Sequence, residues 1–166
     1  MNDDATIRPA TPDDVGSVHG LIRELADYEN LTALCTGSAA ELEAALFGPR
    51  PVADVLVAGV GGEIVGFALF FPTFSTFLAR PGLWLEDLYV QPAHRAHGIG
   101  TKLMRAVAEV AVARRCGRFE WAVLDWNAPA IGFYERLGAT VMPDWRMARV
   151  TGDALLDLAR THHNEM

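Results

Sequence analysis

The chain has 166 residues, a formal net charge of -7 and 51% apolar residues. That length and composition suit a single domain over 1–166 with a full core, and the acidic balance argues against nucleic acid as the main ligand. No stretch approaches the ~20 consecutive apolar residues of a membrane span, and the acidic, polar MNDDATIRPA does not read as a secretory signal.

ATIRPA predicts a short first strand. TPDD follows, with Thr11 as cap, Pro12 at the first helical position, and Asp13 and Asp14 complementing the helix dipole. Val15, Val18, Ile22 and Leu25 recur at three and four, which predicts an amphipathic helix to about Tyr28. Ser38 with Glu41 is a capping-box pattern opening a second helix that ends near Gly48. VADVLVAGV and EIVGFALFF read as strands joined at Gly61-Gly62, a hairpin signal. GLWLEDLYV is a fourth strand. After a glycine loop, Leu103, Val107, Val110 and Ala111 line a helix that runs towards Gly117. FEWAVLD is a fifth strand, Asn127 caps a helix that Gly138 stops, and WRMARV is a last strand before a helical turn or two.

The predicted fold is therefore α/β. It has a mixed, mainly antiparallel sheet, a central parallel strand-helix-strand unit over residues 83 to 125, and helices on both faces.

The segment LEDLYVQPAHRAHGIGTKL runs from an apolar strand through glycines into a helix and admits two readings. One reading of Gly98 and Gly100 is a plain strand-to-helix turn that relieves backbone strain. The other is an anion cradle, in which backbone N–H groups and a helix N-terminus approach a phosphate. A P-loop spacing is absent, and Leu103 stands where a dinucleotide fingerprint needs its third glycine.

Arg95-Ala96-His97-Gly98-Ile99-Gly100 resembles the pyrophosphate loop of the GNAT superfamily of N-acetyltransferases. LEDLYV and VLDWNAPAIGFYERLGA are similar to the strand before that loop, and to the following strand and helix, in the diamine acetyltransferase branch. IRPAT and IRELADYE extend the similarity towards the N-terminus. The nearest likeness is to the spermidine/spermine and thialysine enzymes. This resemblance implies the GNAT fold, acetyl-CoA as co-substrate, no metal, and a small-molecule primary amine as acceptor. It assigns the acetyl and pantetheine portion to Leu88, Tyr89 and Val90, and the pyrophosphate to Arg95, Ala96, His97, Gly98, Ile99, Gly100 and Thr101. Further pantetheine contacts fall to Asn127 and Ala130. Arg95, Lys102 and Arg136 are either phosphate partners or solvated charges.

Acetyl transfer to an amine needs a proton acceptor, because an alkylamine with a pKa near ~10.4 is almost wholly protonated at neutral pH. Glu86 stands in a largely apolar strand. It is either an ion-paired or edge-exposed acid, or a functional one, and the resemblance makes it the base, with Asp87 as second choice. By alternation Glu86, Leu88 and Val90 share one side of the strand, and Asp87 and Tyr89 the other. Tyr134 is either core or, by the resemblance, the acid that protonates the leaving thiolate. The acceptor pocket is assigned to Tyr28, Glu29, Glu86, Asp87, Glu120, Trp121 and Ala122.

PTFSTFLARPG lacks the acidic residue of the polyamine enzymes, and TVMPDW offers only Asp144, which favours a small amine or lysine-like amino acid over a long polyamine. The alternatives are a protein lysine or N-terminal acetyltransferase, or a non-catalytic acyl-CoA-binding module. The resemblance, with the aromatics of 67–84 and 121–145, also implies a homodimer. His94 and His97 lack a third metal ligand nearby, His162 and His163 sit in a polar tail, and Cys35 and Cys116 fit reduced thiols in the cytoplasm.

Overall fold

The computed structural model describes residues 5–160. The first four residues of the acidic N-terminal stretch lie outside it, as do His162 and His163. The chain divides into two compact units, one running to Ala122 and one beginning at Val123.

The first unit holds β1 (Thr6–Pro9), α1 (Val15–Tyr28), α2 (Ala39–Phe47), β2 (Asp54–Val60), β3 (Glu63–Ser75), β4 (Arg80–Val90), α3 (Ile99–Ala113) and β5 (Arg118–Trp121). The sheet order is β1-β2-β3-β4-β5. The first four strands are antiparallel neighbours, and β5 runs parallel to β4, as the predicted strand-helix-strand unit requires. Gly61 and Gly62, at φ +58° and +89°, make the β2–β3 turn in a conformation that side chains disfavour.

Asp14 closes the turn before α1. It accepts from the Thr11 N–H at 2.7 Å and from both terminal nitrogens of Arg8 at 2.7 and 2.9 Å, and the Arg8 bond holds its carboxyl well below the usual range. Leu21 joins Val15 and Val18 as the buried face of α1, while Ile22 and Leu25 pack at its margin. In α2 the Ser38 N–H donates to Glu41 at 2.8 Å and the Glu41 N–H to Ser38 Oγ at 3.2 Å, the expected capping box.

Val18 and Leu21 of α1 and Leu46 of α2 pack on Val55, Val57, Phe67, Leu69 and Tyr89, which share one sheet face. Alternation turns Leu56, Ala68 and Phe70 the other way. They too are buried, in the layer completed by Ile99, Leu103, Met104, Val107 and Ala111 of α3.

The second unit holds α4 (Ala128–Arg136) and α5 (Gly152–Arg160). Three expectations need correction. FEWAVLD is a strand only through Trp121, where pairing with β4 stops. WRMARV is not a strand: it has no neighbouring strand among the described residues, and an isolated strand cannot satisfy its backbone. α5 is a full helix of 9 residues rather than a turn or two.

Candidate active site

The pairing of β3 with β4 breaks its register at one place. Phe70 faces Leu85 and Leu69 faces Asp87, so Glu86 is the extra residue of a β-bulge. Trp84 lies in register with Phe71, which packs on the α1–α2 core, and Asp87 with Leu69 of that core. Trp84 and Asp87 therefore share a face although they are three residues apart, which regular alternation forbids. The Trp84 indole N–H donates to Glu86 Oε2 at 2.9 Å, bringing Glu86 to the same neighbourhood. This corrects the expected separation of Glu86 from Asp87.

Three carboxylates meet here. Asp87 is pushed up to about 7, first by burial and then by the charges of Glu86 and Glu29. Glu29, just past the end of α1, is raised by burial. Removing water weakens each charge's solvation and strengthens their mutual repulsion, so Asp87 keeps its proton near neutrality. An arriving cation would relieve both effects.

The adjoining strand contributes unequally. Glu120 is in register with Trp84 and so falls on the side that carries Glu86, with Arg118 Nη1 3.7 Å from its carboxylate. Trp121 is in register with Leu85, on the opposite face, its ring centroid 4.9 Å from that of Phe119. Ala122 is exposed at the end of the first unit.

Four residues beyond this cluster, β4 ends and the loop begins. Among the described residues no strand continues the pairing of β4 on the β5 edge after Leu85, so Glu86–Val90 form an open edge that includes Leu88, Tyr89 and Val90. Ala96 and Gly98 both take left-handed backbone, φ +64° and +76°. The Lys102 N–H to Gly98 C=O bond, 2.9 Å, closes the first turn of α3. It leaves the N–H groups of Ile99, Gly100 and Thr101 without an intrahelical acceptor. A Cβ at Gly98 would meet nothing within 4 Å, so its surroundings are open, and the glycine answers the backbone angle. An open strand edge leading to a helix N-terminus, whose first N–H groups have no acceptor within the helix, fits an extended pantetheine arm followed by phosphates.

The basic side chains are less available. Arg95 Nε donates to the Val90 carbonyl at 2.8 Å, and its guanidinium lies 5.3 Å from the Tyr28 ring centroid and 5.4 Å from that of Tyr89. Lys102 Nζ reaches the Ala5 carbonyl at 3.4 Å. His97 is exposed beside Gly98.

In the second unit, buried Asn127 caps α4 with its Oδ1, which accepts the Ala130 N–H at 3.3 Å. Tyr134 is half-buried on that helix, its ring centroid 5.3 Å from that of Phe133. Arg136 is exposed in its last turn.

Glu24 is the residue that sequence reasoning passed over. It accepts from the Tyr89 hydroxyl at 3.1 Å and from Gln91 Nε2 at 3.1 Å. The signal was present in the spacing of Glu24 to Tyr28 on a helix and of Tyr89 to Gln91 across the end of a strand, spacings that set each pair on one side.

Comparison with known proteins identifies the family. Residues 22–139 match the model of the Acetyltransferase (GNAT) family. Thialysine N-epsilon-acetyltransferase of Sus scrofa is 40% identical over 164 residues, covering 92% of this chain and 96% of that protein. L-ornithine N5-acetyltransferase of Arabidopsis thaliana is 34% identical over 194 residues, covering 90% and 85%. In fold, an integron cassette protein from the mobile metagenome of V. cholerae superposes with a TM-score of 0.79 at 24% identity, covering 96% of this chain and 99% of that one. The chain belongs to the GNAT family and is an N-acetyltransferase.

Proposed function

We propose that the chain transfers an acetyl group from acetyl-CoA to the side-chain amine of a small lysine-like amino acid, such as thialysine or ornithine. The observation that carries this reading is the meeting of Glu29, Glu86 and Asp87 at the β4 bulge, at the head of the open strand edge. The activities of the two relatives, on thialysine and on ornithine, support the acceptor class. The two units act as one catalytic domain over 1–166 in this proposal.

When bound, acetyl-CoA supplies an acetyl group activated as a thioester, with the coenzyme's sulfur as the leaving group. The edge of β4 from Leu88 to Val90 and the start of α3, from Gly98 to Thr101, would hold it, with Asn127 and Ala130 beside the pantetheine. The acceptor enters as an ammonium, and the carboxylates of Glu29 and Asp87 bind it in place of the proton that Asp87 otherwise retains. Glu86, exposed and oriented by the Trp84 indole N–H, takes the proton that makes the nitrogen nucleophilic. The nitrogen attacks the thioester carbon, the C–S bond breaks as the Tyr134 hydroxyl gives a proton to the departing sulfur, and the nitrogen's second proton returns to the Tyr134 phenolate through water. Tyr28 and Glu120 line the acceptor side.

A second copy of the chain is the expected partner. Trp145, Met147, Leu155, Leu156 and Leu158 all lie more than half exposed, which is unusual for so many large apolar side chains within residues 145–158 and fits burial in a homodimer. Sedimentation at micromolar concentration should give twice the chain mass, and a monomer throughout would remove this part. Free Cys35 and Cys116 fit the reducing cytoplasm.

An acceptor screen by thiol release from acetyl-CoA tests the function. Thialysine, lysine and ornithine should outrun spermidine and spermine by tenfold or more in kcat/KM. Turnover of lysine-containing peptides alone would point to a protein-directed enzyme, and coenzyme binding without any turnover to a silent acyl-CoA module.

A further inference from the structure

α1 carries Tyr28 and Glu29 to the carboxylate cluster, yet little of its core packing reaches them. Its last fully buried residue is Leu21, and Tyr28 is 42% exposed. Immediately beyond, Asn30 turns the chain with φ +58°. Polar ties hold this end instead. Glu24 bonds to Tyr89 and Gln91. One helical turn later, the Arg95 guanidinium lies over both Tyr28 of α1 and Tyr89 of β4, while its Nε is engaged by the Val90 carbonyl. Both ring distances are within the ~6 Å of a favourable cation–π contact.

We propose that Arg95 is a positioning residue of the acceptor site: it clasps Tyr28 to Tyr89, and so sets Glu29 beside Asp87, rather than serving as a phosphate ligand. The inference rests on the amine-acetyltransferase reading for its consequence, although the clasp itself stands on contacts within the first unit. A planar guanidinium can lie over a ring and donate in its own plane at the same time, which is what Arg95 does. The loop that presents phosphate donors would then also hold the wall of the acceptor pocket. Phosphate binding is left to the backbone N–H groups at the start of α3, which need no arginine.

The test compares wild type with Arg95→Met, Arg95→Lys, Tyr28→Leu and Tyr28→Phe. Hydrogen exchange is read at Glu29, Asn30 and Leu31, whose N–H groups bond back to Leu25, Asp27 and Ala26. Arg95→Met and Tyr28→Leu should each speed exchange there by ~10-fold, equal to ~1.4 kcal/mol, with amides of α3 unchanged. Tyr28→Phe, which keeps the ring face, should exchange like wild type. Arg95→Lys should recover only part of the protection, because an ammonium lacks the planar fork. Coenzyme A affinity by calorimetry should stay within threefold in every variant. With thialysine as probe, KM should rise about tenfold for Arg95→Met while kcat at saturation stays within threefold.

A coenzyme A affinity that falls tenfold or more in Arg95→Met, with exchange at Glu29–Leu31 unchanged, would overturn the clasp and make Arg95 a phosphate ligand. Uniformly faster exchange over the whole first unit would also overturn it, since the residue would then support the fold generally. A wild type that turns over no thialysine contradicts the functional proposal, while exchange and calorimetry still decide the clasp.

Discussion

Replacing Asp87 with asparagine should make the protein more stable above neutral pH, even though it removes a carboxylate from the candidate site. Asp87 is raised from an ordinary 3.8 to about 7 by burial and by the charges of Glu86 and Glu29. At 1.36 kcal/mol per pH unit that rise is worth ~4 kcal/mol, and relaxation of the neighbours brings a realistic expectation to ~2–4 kcal/mol. The sign follows from proton counting. Between about pH 4 and pH 7 the folded state keeps a proton that the unfolded chain has released, so stability falls as pH rises through this window. Above about pH 7 the full cost of a buried, repelled carboxylate is present. Asparagine has nearly the same shape as the protonated acid and never ionises. Urea unfolding followed by circular dichroism at pH 5, 6, 7 and 8 should show Asp87→Asn overtaking wild type, the gap widening by ~1 kcal/mol or more per pH unit before levelling. Taking the difference between the two proteins cancels the titrations they share. A gap that stays constant from pH 5 to pH 8 would refute the argument, because Asp87 would then titrate as an ordinary surface acid.

The remaining expectations concern the loop and the acid. Gly98→Val should cut coenzyme A affinity by tenfold or more in calorimetry, because a β-branched side chain disfavours φ +76° and would shift the turn that aims the first N–H groups of α3. The circular dichroism spectrum should be unchanged, and an unaltered affinity would leave the loop as a structural turn. Tyr134→Phe removes only a hydroxyl, so kcat should fall by ~10² to 10⁴ with coenzyme affinity within threefold. Full turnover would take the acid role away from Tyr134.

Much of this molecule was legible in its sequence because its local signals agree with one another. The Ser38–Glu41 box, the Gly61-Gly62 turn and the Asn127 cap each appear where their chemistry puts them. The glycine pattern after LEDLYV does open a helix. What stayed hidden depends on pairing. Nothing in the residues of β4 announces that Glu86 is an extra residue, since a bulge is a property of two strands in register, and that one residue decides whether two adjacent acids share a side. Leu21 displaced the margin residues of α1 in the core because the tilt of a helix on its sheet is a packing outcome. WRMARV carries strand-forming residues without a strand to pair with among the described residues. Arg95 reads as a phosphate ligand from its motif position, and only its distances to Tyr28 and Tyr89 suggest other work.

The central claim is that the acids at the β4 bulge receive and deprotonate an amine. The most direct measurement is kcat/KM for thialysine against pH, from 6.5 to 9.5, with acetyl-CoA saturating, for wild type and Glu86→Gln. If Glu86 takes the amine's proton, the loss should be greatest near neutral pH, ~10²-fold or more. It should then shrink steadily as free amine increases about tenfold per pH unit below its pKa of ~10.4. A ratio of the two enzymes that stays flat across the whole range would contradict the claim, leaving Glu86 to bind or brace but not to accept the proton.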